Sequence, residues 1–308
     1  MSKSLSDLIV EAHGLVKSFG RVTALDGLDL RVERGEVHGF LGPNGAGKST
    51  TIRALLGQIR LDGGSASVMG MDPWRRAVDI HERLAYVPGD TALWPGLTGG
   101  QCIDVLGGIH GAMNQKRRDE LVERFELDPT RRFRTYSKGN RQKVALVAAL
   151  ACDVDLLILD EPTSGLDPLM EAVFQGVVTE LANQGVSVLL SSHILAEVET
   201  LCGRVTVVRS GRGVFSGSLA SLRASAPSAI EAVTERAPEG LEMIDGVADL
   251  MVSTDPHGTR ITALVDARGL PAALAQVARA RPLQVAVRPP SLEQLFLEQY
   301  SDEGGERP

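Results

Sequence analysis

The sequence has few cysteines, no surplus of positive charge and no long apolar run. Its three cysteines, Cys102, Cys152 and Cys202, are too far apart for a CxxC or metal-ligand pair, so we expect idle thiols in a reducing compartment. A formal net charge of -7 argues against a nucleic-acid-binding protein. The apolar run at 144–152 has nine residues, whereas a membrane span needs about 20. We therefore expect no transmembrane helix.

The composition is that of a globular protein. Hydrophobic residues make up 43% and charged residues 23%, which permits a sizeable core and excludes wholesale disorder. At roughly 100–200 residues per domain, a chain of 308 residues predicts two domains, or one large domain with an appendage. The first residues contain neither an apolar secretory segment nor a small-residue cleavage site, so we expect a cytosolic protein.

Strand and helix patterns alternate through the first two thirds of the chain. Apolar patterns predict strands at 8–17, 28–32, 36–41, 65–69, 84–87, 156–159, 186–190, 205–208 and 214–215. Helices are predicted at 48–58, within 98–152, at 168–184 and at 193–201. Thr98 with Gln101 fits a capping box, and Asp167 fits an N-cap followed by Pro168. This alternation predicts an α/β domain with a largely parallel sheet, interrupted by a helical insert at about 92–152.

A smaller second module follows. The composition shifts after Gly217, and the stretch 218–241 is rich in Ala, Ser, Pro and Glu. Strands are predicted at 244–252, 259–265 and 283–287, and helices at 270–279 and 291–300. We expect a first domain at 6–232 and a small α+β accessory domain at 233–308, which carries no motif with recognisable chemistry.

A glycine-rich segment follows the predicted strand 36–41 and precedes a predicted helix. The segment consists of Gly42, Pro43, Asn44, Gly45, Ala46, Gly47, Lys48, Ser49 and Thr50. It satisfies G-x-x-x-x-G-K-[ST], in which backbone N–H groups and the helix N-terminus surround phosphates. Lys48 is predicted to reach the β- and γ-phosphates, and Ser49 to ligate Mg²⁺. The alternative, a glycine turn that only caps a helix, does not explain the lysine and serine in this context.

Two acidic residues end the predicted buried strand at 156–159. Asp160 is expected at the carboxyl edge of the sheet, beside the phosphate loop, where it would hold Mg²⁺. Glu161 follows and is expected to orient and deprotonate a water for attack on the γ-phosphorus. A strand that ends in a solvated acidic turn is the alternative, and the phosphate loop upstream argues against it.

With these motifs in place, residues 6–217 resemble ATP-binding subunits of ABC transporters. The segment 136–143, Tyr-Ser-Lys-Gly-Asn-Arg-Gln-Lys, is similar to the family signature, and 164–167, Ser-Gly-Leu-Asp, to the D-loop. His193 matches the switch histidine, and Phe19 stands where the family places an aromatic against adenine. For His193 the alternative is a core or capping residue, and for Phe19 a core aromatic.

This resemblance implies the cofactors, the partners and the site. It implies ATP and Mg²⁺, a RecA-like core with an antiparallel β subdomain and a helical subdomain, and ATP hydrolysis. Two copies would bind ATP between them, each nucleotide touching the phosphate loop of one copy and Ser137 and Gly139 of the other. The catalytic set would be Lys48, Glu161 and His193. Asp167 would join the nucleotide contacts.

The resemblance is closer to bacterial antibiotic exporters of the daunorubicin and tetronasin-resistance kind. It rests on the segment 86–90, on the Tyr-Ser-Lys-Gly-Asn signature and on the ending 290–297. In such systems an ABC-2 type permease is a separate polypeptide. The ATPase subunit would then lie at the cytoplasmic face of the membrane and power efflux of a drug.

Two positions depart from the family pattern. Gly89 replaces the Q-loop glutamine, and either Asp90 supplies the missing metal or water contact or the pair is only a turn. Lys138 stands where a glycine is usual, and it either faces the γ-phosphate of the partner's ATP or is a solvated lysine.

Other functions compete with export. A soluble ABC ATPase of translation or DNA repair would carry two cassettes, long coiled coils or zinc cysteines, and none is evident. A P-loop kinase or GTPase would lack the signature. An importer subunit shares the same motifs, so this alternative stays open.

Overall fold

A computed structural model describes residues 7–110, 113–224, 227–255 and 258–288. The chain divides into two compact units after Gly217. In the first unit the described strands are β1 (Leu8–Phe19), β2 (Val22–Glu33), β3 (Val37–Leu41), β4 (Gly63–Val68), β5 (Leu84–Val87), β6 (Leu156–Asp160), β7 (Ser187–Ser192), β8 (Arg204–Arg209) and β9 (Arg212–Ser218). Its described helices are α1 (Lys48–Leu55), α2 (Ala77–His81), α3 (Gly99–His110), α4 (Gln115–Arg124), α5 (Lys138–Leu150), α6 (Pro168–Asn183) and α7 (Leu195–Leu201).

The centre of the first unit is a six-stranded sheet with the order β5-β6-β7-β3-β8-β9. The pairs from β5 to β8 are parallel. Every residue of β6 and β7 is buried, as expected for parallel strands covered on both faces. Because parallel strands end at the same edge, the last residues of β3, β6 and β7 are neighbours, and the candidate site lies there. The predicted α/β class is confirmed.

A three-stranded antiparallel sheet with the order β2-β1-β4 forms a second layer. The sequence predicted only 28–32 of β2, because Asp26-Gly27 resembles a turn. In the structure Gly27 has φ 79° and lies in a register irregularity between the pairs Leu15–Leu28 and Val16–Asp26. A bulge therefore takes the place of the turn, and the strand continues to Val22.

Helices α3, α4 and α5 form the predicted helical insert. The capping box before α3 is confirmed, since Thr98 N donates to Gln101 Oε1 at 2.9 Å and Gln101 N donates to Thr98 Oγ1 at 3.2 Å. Asn114 caps α4, since its Oδ1 accepts from Arg117 N at 3.1 Å. Among the helices of the described ranges, none is long and apolar enough to cross a bilayer.

The second unit contains α8 (Leu219–Ala224), β10 (Ser228–Thr234), β11 (Val247–Asp255), β12 (Gly258–Val265), α9 (Leu270–Arg279) and β13 (Pro282–Arg288). Its antiparallel sheet has the order β11-β12-β10-β13. Side chains of β10, β12 and α9 share a separate hydrophobic core that includes Ile230, Ile261 and Val277. This arrangement agrees with a small α+β domain.

The boundary between the units differs from the predicted one. A division after residue 232 would cut β10, which pairs with both β12 and β13. β10 was not predicted because its serine and alanine residues are weak strand formers, and here two neighbouring strands override that preference. The predicted helix at 291–300 lies outside the described residues.

Candidate nucleotide-binding site

The glycine-rich segment connects the end of β3 to the start of α1, as its sequence predicted. Gly47 precedes α1 and has a backbone φ of 110°. Residues with a side chain rarely adopt this conformation. A Cβ atom at this position would also lie 2.7 Å from the Ala24 carbonyl oxygen. The loop therefore turns tightly beside β2, with the N-terminus of α1 directed into its concave side.

Lys48 lies within this loop and is 6% exposed. Its Nζ donates to the carbonyl oxygens of Gly42 at 2.6 Å and Pro43 at 3.2 Å, and lies 3.8 Å from Glu161 Oε1. Burial lowers the pKa of Lys48, and the charges of Glu161 and Asp160 oppose that shift. An anion placed in the loop would stabilise the ammonium further.

Ser49 and Asp160 meet at the mouth of the loop. Ser49 Oγ donates to Asp160 Oδ2 at 3.1 Å, because α1 begins and β6 ends at the same edge of the sheet. Asp160 Oδ1 is buried and has no hydrogen-bond partner among the described residues. A hydroxyl and a carboxylate oxygen with unused acceptor capacity fit Mg²⁺, which usually takes one or two protein ligands beside phosphate and water. The described ranges contain no cluster of three His, Cys, Asp or Glu side chains that could hold a metal ion.

Glu161 occupies a strained position directly after β6. Its φ of 49° is in the left-handed region, which is costly for residues with a side chain. Its N–H donates to Ser191 O at 2.8 Å, and this bond ties the turn to β7. The carboxylate lies between Lys48 and His193, whose Nδ1 is 2.7 Å from Glu161 Oε2.

His193 follows β7 and is half exposed, with 51% of its side chain accessible. It is therefore not a core residue, one of the alternatives that the sequence left open. It also precedes α7, which begins at Leu195 rather than at 193. Ser192 Oγ accepts from Ile194 N at 2.9 Å and so closes the short turn that carries the imidazole.

The signature segment 136–143 is in direct contact with the D-loop, 164–167, of the same chain. Ser137 caps α5 through Asn140 N, and a Cβ atom on Gly139 would clash with the Gly165 carbonyl oxygen. Lys138 Nζ donates to Ser164 Oγ at 2.8 Å. Lys138 is thus exposed but bound to the D-loop of its own chain, an arrangement that the sequence did not suggest.

The remaining predicted residues are placed as follows. Asp167 caps α6 by accepting from Met170 N at 3.0 Å, as predicted. Phe19 is 50% exposed at the end of β1, so it is not a core aromatic, and Lys17 Nζ lies 5.4 Å from its ring centroid. Its contact with adenine stays a prediction.

Gly89 and Asp90 line the same cleft as the metal-binding candidates. The cleft is lined by Asn44, Ser49, Arg53, Tyr86, Pro88, Gly89, Asp90, Asp160 and Glu161. Asp90 therefore lines the same cleft as Ser49 and Asp160, the candidate Mg²⁺ ligands. Its role as a replacement for the Q-loop glutamine stays a prediction.

Tyr86 and Arg53 belong to this cleft although the motifs did not point to them. Burial and the Asp160 charge raise the pKa of Tyr86 to about 12, so the phenol keeps its proton and can donate a hydrogen bond. Tyr86 lies on the predicted strand 84–87 beside β6, and only the parallel pairing of β5 with β6 brings it to the site.

Glu197 is a buried acid one turn beyond His193. It is 4% exposed, and its Oε2 accepts from Ser192 Oγ at 2.6 Å. Burial raises the pKa of Glu197 to about 7, with smaller contributions from the charges of Glu171 and Glu161. Hydrogen bonds from Ser192 and Thr163 oppose the shift.

The raised pKa of Glu197 predicts a pH-dependent stability. Between pH 4.5 and about 7 the folded chain holds a proton that the unfolded chain releases, so the free energy of unfolding falls as pH rises through this window. Glu197→Gln removes this dependence. We expect the free energy of unfolding of the variant, relative to that of wild type, to be about 2.5 kcal/mol higher at pH 8 than at pH 5, measured by urea unfolding at both values. An equal difference at both pH values would contradict the prediction.

A glycine loop at the end of a central parallel strand, with a lysine inside it and a serine–aspartate pair at its mouth, defines a P-loop nucleoside triphosphatase. Comparisons with known proteins identify the family within this class of nucleoside triphosphatases. The family model for ABC transporters matches residues 25–164. The daunorubicin resistance ATP-binding protein DrrA3 of Streptomyces coeruleorubidus is 37% identical over 97% of this chain and 98% of that protein. The Nod factor export ATP-binding protein I of Paraburkholderia xenovorans is 34% identical, over 95% of this chain and 97% of that protein.

Solved structures agree with this family. A structure of an ATP-binding subunit of an ABC transporter superposes with a TM-score of 0.67 at 30% identity, covering 70% of this chain and 92% of that one. A dimeric bacterial ABC transporter cassette superposes with a TM-score of 0.62 at 21% identity, covering 68% and 98%, which supports the fold alone. The chain belongs to the ATP-binding proteins of the ABC transporter family and is an ATPase of that family.

Proposed function

We propose that this ATPase binds Mg²⁺–ATP in the loop 42–50 and powers the export of a drug or antibiotic through a separate permease. The observation that carries the proposal is the placement of Glu161. Its carboxylate lies between Lys48 and His193, beside the Ser49–Asp160 pair. A base, two phosphate-binding groups and a metal-binding pair thus share one edge of the sheet.

Each residue has a defined part in the proposed reaction. Lys48 and the backbone N–H groups of the loop hold the β- and γ-phosphates. Glu161 takes a proton from a water whose oxygen attacks the γ-phosphorus, and the bond from that phosphorus to the β–γ bridging oxygen breaks. ADP and phosphate are released.

Ser49 and Asp160 would hold Mg²⁺, which supplies charge neutralisation on the transferring phosphoryl group. His193 would donate to a γ-phosphate oxygen, a role that its 2.7 Å contact with Glu161 supports. These groups act by position and charge, which is how enzymes accelerate phosphoryl transfer.

We further propose that two copies of the chain complete two sites. Ser137 and Gly139 lie at the start of α5, and the family resemblance implies that both contact the nucleotide of the second copy. The dimeric cassette with the same fold supports this arrangement. A site that closes only in the dimer links hydrolysis to a motion, because ATP stabilises the closed form through its contacts with both copies.

Export is favoured over import by the relatives that match almost the full chain. One is a daunorubicin resistance protein and another a Nod factor export protein. We infer an ABC-2 type permease as the partner, with this chain bound at the cytoplasmic face of the membrane.

Purification of the native complex tests the direction of transport. We expect the tagged chain to bring down a permease of about six spans and no solute-binding protein. Inverted vesicles that contain this complex should accumulate one of a panel of antibiotics, beginning with daunorubicin, when ATP is added. Vesicles with the Glu161→Gln chain are the matched control and should accumulate none. Recovery of a solute-binding protein would contradict export.

A further inference from the structure

Gln142 is a buried amide that joins two loops of the site. It lies on α5, within the signature segment 136–143 and one turn after Lys138, and is 2% exposed. Its Oε1 accepts from Thr91 Oγ1 at 2.8 Å, and its Nε2 donates to the Pro162 carbonyl oxygen at 3.1 Å. Thr91 follows Gly89-Asp90, and Pro162 follows Glu161, so one side chain bridges both segments.

The chemistry of the partners fixes how the amide is oriented. The Pro162 carbonyl oxygen can only accept, so it must face the NH₂ group of Gln142. The carbonyl end of the amide then faces Thr91, whose hydroxyl donates. Each polar atom of the buried amide thus has a matched partner, and a group of another shape would leave the Pro162 carbonyl oxygen without this donor.

The bridged turn is the one that holds Glu161 in a strained conformation. A left-handed residue with a side chain persists only where the surroundings fix it. Glu161 N donates to Ser191 O on one side, and Ser164 N donates to Glu161 O at 3.1 Å on the other. Gln142 supplies a further tie to this turn through the Pro162 carbonyl oxygen, and this tie comes from the signature helix α5.

We infer that Gln142 is a positioning residue that makes the orientation of Glu161 depend on the position of α5. The inference rests on the role proposed above for Glu161. Because α5 begins at the signature, a shift of the helix when Ser137 and Gly139 engage the second copy's nucleotide would reach the Glu161 turn through this amide. The bond between Lys138 and Ser164 adds a second, exposed link between the same two segments.

Steady-state hydrolysis by the full chain tests this inference. Gln142→Met keeps the approximate shape of the side chain but removes both hydrogen bonds. We expect kcat to fall about a hundredfold, the scale of effect that a misplacement of about 1 Å produces, while ATP affinity stays within about threefold of wild type. Gln184→Met, an exposed glutamine at the end of α6, is the control and should hydrolyse ATP normally.

Two variants of Thr91 provide a second test in case Gln142→Met does not fold. Thr91→Ser retains the hydroxyl and should keep kcat near the wild-type value, whereas the isosteric Thr91→Val should lose about tenfold. Gln142→Glu should recover activity relative to wild type as pH falls, because only its protonated carboxyl can donate to the Pro162 carbonyl oxygen. A side chain that served only for packing would show no such recovery.

The outcomes separate this inference from the proposed function. If Glu161→Gln hydrolysed ATP like wild type, the role of Glu161 would fail and the inference with it. If Glu161→Gln were inactive but Gln142→Met and Thr91→Val both kept wild-type kcat, only the inference would be overturned.

Discussion

Glu161→Gln is expected to bind ATP with nearly wild-type affinity and to hydrolyse it at least about a hundredfold more slowly. The amide keeps the size of the carboxylate but cannot take a proton from water, and a positioned general base contributes roughly 10²–10⁴ in rate. Because ATP then persists in the closed site, the variant should accumulate as an ATP-stabilised dimer. Phosphate release and analytical ultracentrifugation measure the two effects.

The control for this experiment is Glu123→Gln, an exposed acid on α4. It removes one carboxylate far along the chain from the site and should leave hydrolysis and the monomer–dimer equilibrium unchanged. Wild-type hydrolysis in Glu161→Gln would remove this residue as the base. A dimer that formed equally with ADP would show that the γ-phosphate does not drive closure.

Lys48→Ala should weaken ATP binding by at least about a hundredfold. The ammonium is the buried cation of the phosphate loop, and hydrogen bonds from a charged donor contribute roughly 1.5–3 kcal/mol each. Removing it also leaves Glu161 without its neighbouring positive charge, which adds repulsion toward the anionic nucleotide. Equilibrium titration with a fluorescent ATP analogue measures the change.

Lys116→Ala is the matched control for this second experiment. Lys116 is an exposed lysine on α4 that contacts Glu120 at 3.6 Å, and its loss should not alter nucleotide affinity. Thermal unfolding of both variants establishes that each is folded. Unchanged affinity in a folded Lys48→Ala would contradict the assignment of the loop.

Local sequence patterns predicted most of the first unit because each pattern has a local physical cause. The buried strand β6 begins with the apolar run 156–159 and β7 is centred on the apolar residues 188–190, and the capping box before α3 needs only Thr98 and Gln101. The phosphate loop is likewise a continuous segment, so its glycines and Lys48 can be recognised without information about distant contacts. The shape of β2 was not predictable in this way, because the Asp26-Gly27 pair favours a turn and only pairing with β1 makes it a bulge.

The features of the site that could not be predicted depend on contacts between residues that are far apart in the sequence. Glu161 and His193 were each identified, but their 2.7 Å contact depends on the neighbouring positions of β6 and β7. The contacts of Gln142 with Thr91 and Pro162 link positions 51 and 20 residues away, respectively, and no periodicity signals them. Similarly, β10 is a strand because β12 and β13 flank it, although four of its seven residues are Ser, Ala or Glu, which are weak strand formers.

Binding of ATP with and without magnesium tests the central claim most directly. The purified full chain is titrated calorimetrically with ATP in Mg²⁺ and again in EDTA. We expect saturable binding of one nucleotide per chain in Mg²⁺ and clearly weaker binding in EDTA, because Ser49 and Asp160 would hold the ion that neutralises charge on the phosphates. No Mg²⁺-dependent affinity for ATP, with the chain alone or with its copurified permease, would contradict it.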